Sequence, residues 1–340
     1  MIDFRYHVVS IVAVFLALTV GLVLGSSFLG QEQINLLTTQ ITSANNAKNS
    51  LENKNRALNA TNAQLGDYID ETKLNLVDNQ LANDYVVVVR AAGDDETAAA
   101  AVLALTKRAS AVITADITVN ATFADGSSTA DLENLLANYT PTGQNLAGDD
   151  TVSKATSLLA EALSAQATAG PPGATPPASP TTTPTTMTAA WSVRTLSAFR
   201  DIGVIAVHTM PNATTMTKPT AAFIAAPDKA GTDAQNNAYV SLAQALQTLD
   251  VGPVVGGAAV AAGTGGMITA VLKNAGAAKT VSTVDNTDQT TGQVAVVFVL
   301  YQESANPAAS AGHYGTTGST DGLLPRLPTL SPVASPSASG

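Results

Sequence analysis

The stretch from Val8 to Leu29, VVSIVAVFLALTVGLVLGSSFL, runs for 22 residues without a charge. At about 1.5 Å per residue, a helix of that length crosses a hydrocarbon core about 30 Å thick. So much apolar surface does not stay in water, and everything after it is polar enough to be aqueous. One crossing near the start therefore organises the chain. Ahead of it stand Asp3, Arg5 and His7, while the first basic residue beyond it is Lys48. Basic residues are retained on the cytoplasmic side. Residues 1–7 are thus expected in the cytoplasm, 8–29 across the cell membrane in a single pass, and the bulk outside. A secretory signal removed on export is the other reading of this run. A signal core spans about 7–15 residues, however, and cleavage follows an A-x-A pattern that Gly25-Ser26-Ser27 matches poorly. Both readings export the remainder.

The crossing helix has a face of small residues. Ala13, Ala17, Gly21 and Gly25 recur every four positions, and Gly21-x-x-x-Gly25 lets two helices approach closely. From Gln31 to Leu65 there is no Gly or Pro, and the pattern repeats in sevens. Leu37, Ala44, Leu51, Leu58 and Leu65 occupy position d, with Ile34, Ile41, Lys48, Asn55 and Asn62 at a. β-branched residues at a with Leu at d favour a parallel two-stranded coil, and Asn at a fixes its register. The neighbouring Thr38, Gln40, Asn45 and Ala47 are uncharged, which fits self-pairing. A parallel homodimer is expected, joined through Ala17, Gly21, Gly25, Ile34, Leu37, Ile41, Leu51, Asn55, Leu58 and Leu65, with a stalk over 31–82. The alternative is one amphipathic helix lying on its own globular domain.

Cysteine is absent, which excludes disulfides and thiolate metal sites and suits a bacterial envelope. The net charge of −10, from 16 basic and 26 acidic residues without a basic patch, excludes nucleic acid as a partner. Beyond the stalk, strands and helices alternate. Tyr85–Ala91, YVVVVRA, is a β-branched run of the kind found in strands covered on both faces. A helix follows to Arg108, with Gly93-Asp94-Asp95-Glu96 at its start, and then a strand over Ala111–Val119, making a parallel β-α-β unit. Helices are expected near Ala130–Asn138, Asp150–Ala165, Ala189–Arg200, Ala234–Leu249 and Gly266–Ala275. Strands are expected at Gly203–Val207, Ala221–Ala225, Val254–Val260 and Gln293–Tyr301. The proline- and threonine-rich segment 167–188 reads as a disordered insertion between the two parts, 84–166 and 189–320, of one mainly parallel α/β domain. Residues 321–340 read as a disordered tail.

Catalytic signals are sparse. The three histidines are His7, His208 and His313, and there is no G-x-S-x-G elbow, H-E-x-x-H helix or Walker loop. The glycines at 256–257 and 263–266 suit turns and helix starts rather than a dinucleotide fingerprint. Acids at 94–96 are commonplace at a helix start, although they offer oxygen ligands to a cation. His208-x-Met210-x5-Met216 is the candidate metal site, because imidazole and thioether are donors soft enough for Cu(I). Copper is thus the candidate ion, and no catalytic or cofactor residue is assigned. A chance loop methionine beside a strand-end histidine explains the same residues.

The opening RYHVVSIVAVFLALTVGLVLGSSFL, the coil, the strand VVVVR, Ser282-Thr283-Val284-Asp285 and Gly312-His313-Tyr314-Gly315 resemble the actinobacterial copper transporter MctB family, which includes corynebacterial SteB-like proteins. The resemblance spans the chain apart from the insertion and the tail. It implies copper homeostasis or export, with an outer-membrane location described for MctB-like members. SteB-like members imply instead a division scaffold that binds a SteA-like partner and promotes septal wall remodelling. An outer-membrane pore needs a closed barrel of alternating strands about 9–11 residues long. These strands do not alternate, so the expected architecture is a non-enzymatic, membrane-anchored dimer that presents an extracytoplasmic α/β domain.

Overall fold

The computed structural model describes residues 4–165, 188–307, 310–317 and 321–325, and over 26–32 the backbone alone. The expected insertion, apart from Thr188, and the tail from 326 onward lie outside the described residues. The chain forms two compact units, Met1–Tyr68 and Ile69–Gly340.

In the first unit lies most of one long helix, α1 (Phe4–Val77). Its segment Phe4–Gly25 is long and apolar enough to cross a membrane, and none of it is buried within the chain. In the polar half, Thr38, Thr39 and Thr42 turn their hydroxyls back to carbonyls four residues earlier at 2.7–2.8 Å. Glu52 pairs with Lys48 at 3.7 Å and Arg56 at 3.9 Å, contacts typical of an exposed helix surface. The heptad residues Ile34, Leu37, Ile41, Leu51, Leu58 and Leu65 all lie bare, 55–62% exposed.

The second unit begins with the last turns of α1, where Val77 is buried, and Asn79 (φ 58°) stops the helix in the left-handed region that Asn tolerates. There follow β1 (Tyr85–Ala91), α2 (Glu96–Arg108), β2 (Val112–Val119), α3 (Thr129–Tyr139), α4 (Thr151–Ser164), α5 (Ala189–Asp201), β3 (Ile205–Thr209) and β4 (Ala221–Ala225). Then come α6 (Asp233–Thr248), β5 (Gly252–Gly256), α7 (Met267–Lys273), α8 (Ala277–Thr280), β6 (Ser282–Val284), α9 (Thr290–Ala305) and β7 (His313–Tyr314). Caps mark several helix starts: Asp95 accepts from the amides of Thr97 and Ala98, and Thr232 with Gln235 forms a reciprocal capping box.

The sheet order is β3-β2-β1-β4-β5-β6-β7. Every pairing is parallel except that of β2 with β3. Both faces are covered, as the apolar β1 run requires. Val87, Val89 and Ala91 join the core under α3–α8, while Val86 and Val88 join the core under α2 and α9. Trp191 anchors α5, fully buried, with its indole N–H on the Tyr139 carbonyl at 2.9 Å.

One expected strand is a helix. Residues 293–301 belong to α9, which is buried from Val294 through Leu300 and lies against α2 and against β4, β5 and β6. A helix that is apolar all round is a buried helix, and a short apolar run reads the same for either structure until its cover is known. Gly252 of β5 makes the close approach of α9 feasible, because a Cβ there would stand 2.5 Å from that of Glu303. The strand expected at 254–260 starts at Gly252 and ends at Gly256, where the next residue's amide turns to the Val284 carbonyl at 2.9 Å. The very short β6 and β7 were not foreseen, since three and two residues carry no legible alternation.

Candidate functional site at the carboxyl edge of the sheet

In a doubly wound sheet, ligands bind outside the carboxyl ends of the strands, where the winding reverses. Here that point lies between β1 and β4, because the chain leaves β1 toward β2 and later returns on the other side to β4. The loops leaving these two strands are tied together. Asp94 pairs with Pro227 in an isolated bridge, and the Asp228 amide donates to the Gly93 carbonyl at 2.8 Å. From α6 the Tyr239 hydroxyl donates to the Val119 carbonyl and accepts from the Ala92 amide, each at 3.1 Å. A cleft of about 150 Å³ remains, lined by Gly93, Asp228, Lys229, Gly231, Gln235 and Tyr239.

Within the adjoining strands, Arg90 and Asp116 face each other with two bonds, 2.9 and 3.0 Å. The Asp116 hydrogen bond holds the Arg90 guanidinium above its ordinary value. Burial pushes the Asp94 carboxyl up, with Arg90 opposing the rise, and its Oδ2 is buried without a partner. The arrangement can orient a small polar group. These residues include no nucleophile–base pair of the kind that covalent acyl transfer uses.

The two short motifs form a clasp at the far edge. The Ser282 hydroxyl donates to Glu303 Oε1 at 2.6 Å and accepts from the Gly312 amide at 2.9 Å. Asp285 accepts from the amides of Thr316 and Thr317 at 2.6 and 2.8 Å. Gly315, at φ +136°, cannot carry a side chain because Asp285 Oδ1 occupies that space. His313 Nε2 lies 3.0 Å from the Ala278 carbonyl, so that nitrogen carries the proton, and Nδ1 meets the Thr283 hydroxyl at 3.0 Å. Both ring nitrogens are therefore occupied by the fold.

Glu303 is 4% exposed, and burial pushes its carboxyl up to about 7, with the Ser282 bond opposing the rise. Burial likewise pushes Glu161 up to about 7 against its bond from Gln144. Between an ordinary value of 4.5 and about 7, the folded chain holds protons that the unfolded chain releases. The unfolding free energy should therefore fall as pH rises through this window and level off above it. Replacing Glu303 with Gln should flatten that fall, which urea unfolding at about pH 5 and about pH 8 would read.

The predicted metal residues have contacts in different places. His208 is exposed on the edge strand β3, with Nε2 at 2.9 Å from the Thr118 hydroxyl. Met210 is partly buried against the core under α3–α8, and Met216 is buried in a separate cluster with Ala165 and Ala189. Among the described residues, no group of three or more His, Asp or Glu side chains is placed to hold a metal ion. The residues not singled out from sequence are Arg90, Asp116, Tyr239 and Glu303. A signal existed for the first two, each being the one charge in an otherwise uncharged strand.

A family model described as "Copper transport outer membrane protein, MctB" matches residues 1–325. The chain belongs to the MctB family. It is 28% identical over 328 residues to the copper transporter MctB of Mycobacterium tuberculosis H37Rv, covering 93% of this chain and 96% of that one. It is 30% identical over 325 residues to the copper transporter MctB of Mycobacterium leprae, covering 94% and 96%. In this MctB-family chain, Ser282–Asp285 and Gly312–Gly315 belong to the clasp, which holds the edge strand β7 against β6.

Proposed function

We propose that the chain serves copper transport as a non-enzymatic, single-pass protein of the cell envelope. The observation that carries this reading is the family match over residues 1–325, which takes in the apolar span, the heptad helix and the α/β unit. The span anchors the chain with residues 1–7 in the cytoplasm, following the charge asymmetry around it. The open sheet, with β3 and β7 at its edges, is not the closed barrel an outer-membrane pore needs. We therefore assign the α/β unit an extracytoplasmic role beside the membrane, carried on a parallel dimeric stalk. His208, Met210 and Met216 are the soft donors this reading offers to Cu(I), and Met216 would have to leave its pocket to take part.

The test is cell-associated copper, measured by mass spectrometry in a strain lacking the chain and in the same strain complemented. Deletion should raise copper, and complementation should restore it. Unchanged copper together with enrichment of a tagged copy at septa would overturn this reading in favour of a SteB-like division scaffold with a SteA-like partner.

A further inference from the structure

Glu303 is the one charged residue of α9, and it begins a relay of hydrogen bonds. The Ser282 hydroxyl donates to its Oε1, and the same Oγ accepts from the Gly312 amide. The relay thus ties α9 to the start of β6 and to the residue that leads into β7. The second carboxyl oxygen, Oε2, is buried without a partner.

The charges around this carboxyl are engaged elsewhere or repel it. β4, β5 and β6 carry none. α2 carries Glu96, Lys107 and Arg108, and Arg108 pairs with Asp78 at 3.2 Å. The last turns of α1 bring Asp70, paired with Lys73, to Thr290 at the opposite end of α9. On β7, both ring nitrogens of His313 are held, and Tyr314 is pushed up by burial and then by the charges of Asp321 and Glu303. Burial and the Ser282 bond therefore set the acidity of Glu303.

A neutral carboxyl tolerates this environment, whereas an anion with one hydrogen bond needs water. Of the elements that meet Glu303, α9 and β5 lie within the core, and Gly252 of β5 packs directly on it. β7 is two residues long and lies at the edge. It accepts from β6 through Thr283 to Gly312, 3.0 Å, and Asp285 to Tyr314, 3.1 Å. An edge element with so few bonds opens at least cost.

We propose that the relay Glu303–Ser282–Gly312 is a pH-sensitive latch, which holds β7 on β6 while Glu303 keeps its proton and releases the strand when that proton is lost. Release frees the Thr283 and Asp285 amides and bares the edge of β6. The latch requires no copper. That it would answer to acidity outside the cell rests on the extracytoplasmic placement proposed above.

Full-length protein in phospholipid nanodiscs would be followed by hydrogen exchange at pH 5, 6, 7 and 8, with rates corrected for intrinsic exchange. Burial holds Glu303 at about 7 in the closed form against an ordinary 4.5 once water reaches it. Protection over 282–285 and 310–317 should therefore fall about tenfold per pH unit between those values and level off above. Dilute urea should leave this exchange unchanged while speeding that of β1, because a local opening exposes little surface. Glu303→Gln should abolish the pH dependence. Ser282→Ala, which keeps the carboxyl but breaks the relay, should lower clasp protection already at pH 5. Protection independent of pH in the wild type would overturn the proposal. So would clasp exchange with the urea dependence of β1, a Glu303→Gln variant that keeps the wild-type pH dependence, or wild-type protection at pH 5 in Ser282→Ala.

Discussion

Replacing Asp116 with Ala should lower the unfolding free energy by about 3–5 kcal/mol, because it strands a charge inside the sheet. The side chains of Arg90 and Asp116 are only 13% and 5% exposed, and they meet through two parallel bonds in adjacent strands. Without the carboxylate, the guanidinium keeps its charge but loses its partner. Asp94 softens the loss only slightly, since it reaches Arg90 through charge rather than through a hydrogen bond. Thermal and urea melts of the full chain would measure the change. A loss below about 1 kcal/mol would mean that the pair is solvated and adds no more than a surface salt bridge. The double replacement Arg90→Met with Asp116→Leu should recover most of the stability, because a packed apolar pair of similar volume avoids desolvating two charges.

Lysine at both Leu37 and Leu51 should abolish pairing of the chain with a second copy. These residues are 56% and 62% exposed along one chain, on a stripe shared with Ile34, Ile41, Leu58 and Leu65. A parallel partner would cover the stripe, and an ammonium at a d position would then sit unpaired in the seam. Cross-linking in membranes should trap a dimer of the wild type and none of the double variant. A wild type that cross-links only as a monomer would overturn the coil and leave the helix as a single chain's stalk. Asn55→Ile should act the other way, strengthening the pair while relaxing its register.

Much of this architecture was legible because its signals are local. The uncharged run ahead of Gly25 is legible as a candidate membrane span without tertiary context, since length and hydropathy are local properties. The β1 run Tyr85–Ala91 and the strand Ala221–Ala225 were placed residue for residue, because a β-branched or small apolar run bounded by turns has few other uses in an α/β chain. The helix ends near Asp95 and Thr232 follow from capping residues that act within three positions.

The candidate site was far less legible. Asn236 meets Gly265 across 29 residues, Tyr239 meets Val119 across 120, and Ser282 meets Glu303 across 21. Nothing within a short window distinguishes Glu303 from an ordinary surface acid, and it is buried by the approach of α9 to Gly252 and Ser282. Met216 is the loop residue its surroundings suggest, yet it is buried, because Ala165 and Ala189 meet it from either side of the insertion.

By itself, then, the sequence determined the candidate membrane span, the heptad stripe, the alternation of strands and helices and the family, all of which depend on periodicity, composition or matched motifs. Only the tertiary structure decided that residues 293–301 are helical, that the two motifs form a clasp and that the Asn236 amide oxygen is buried without a partner. The physical reason is the same in each case. A continuous apolar run suits helix or strand equally, and a polar side chain is satisfied or orphaned, until distant segments arrive to cover it.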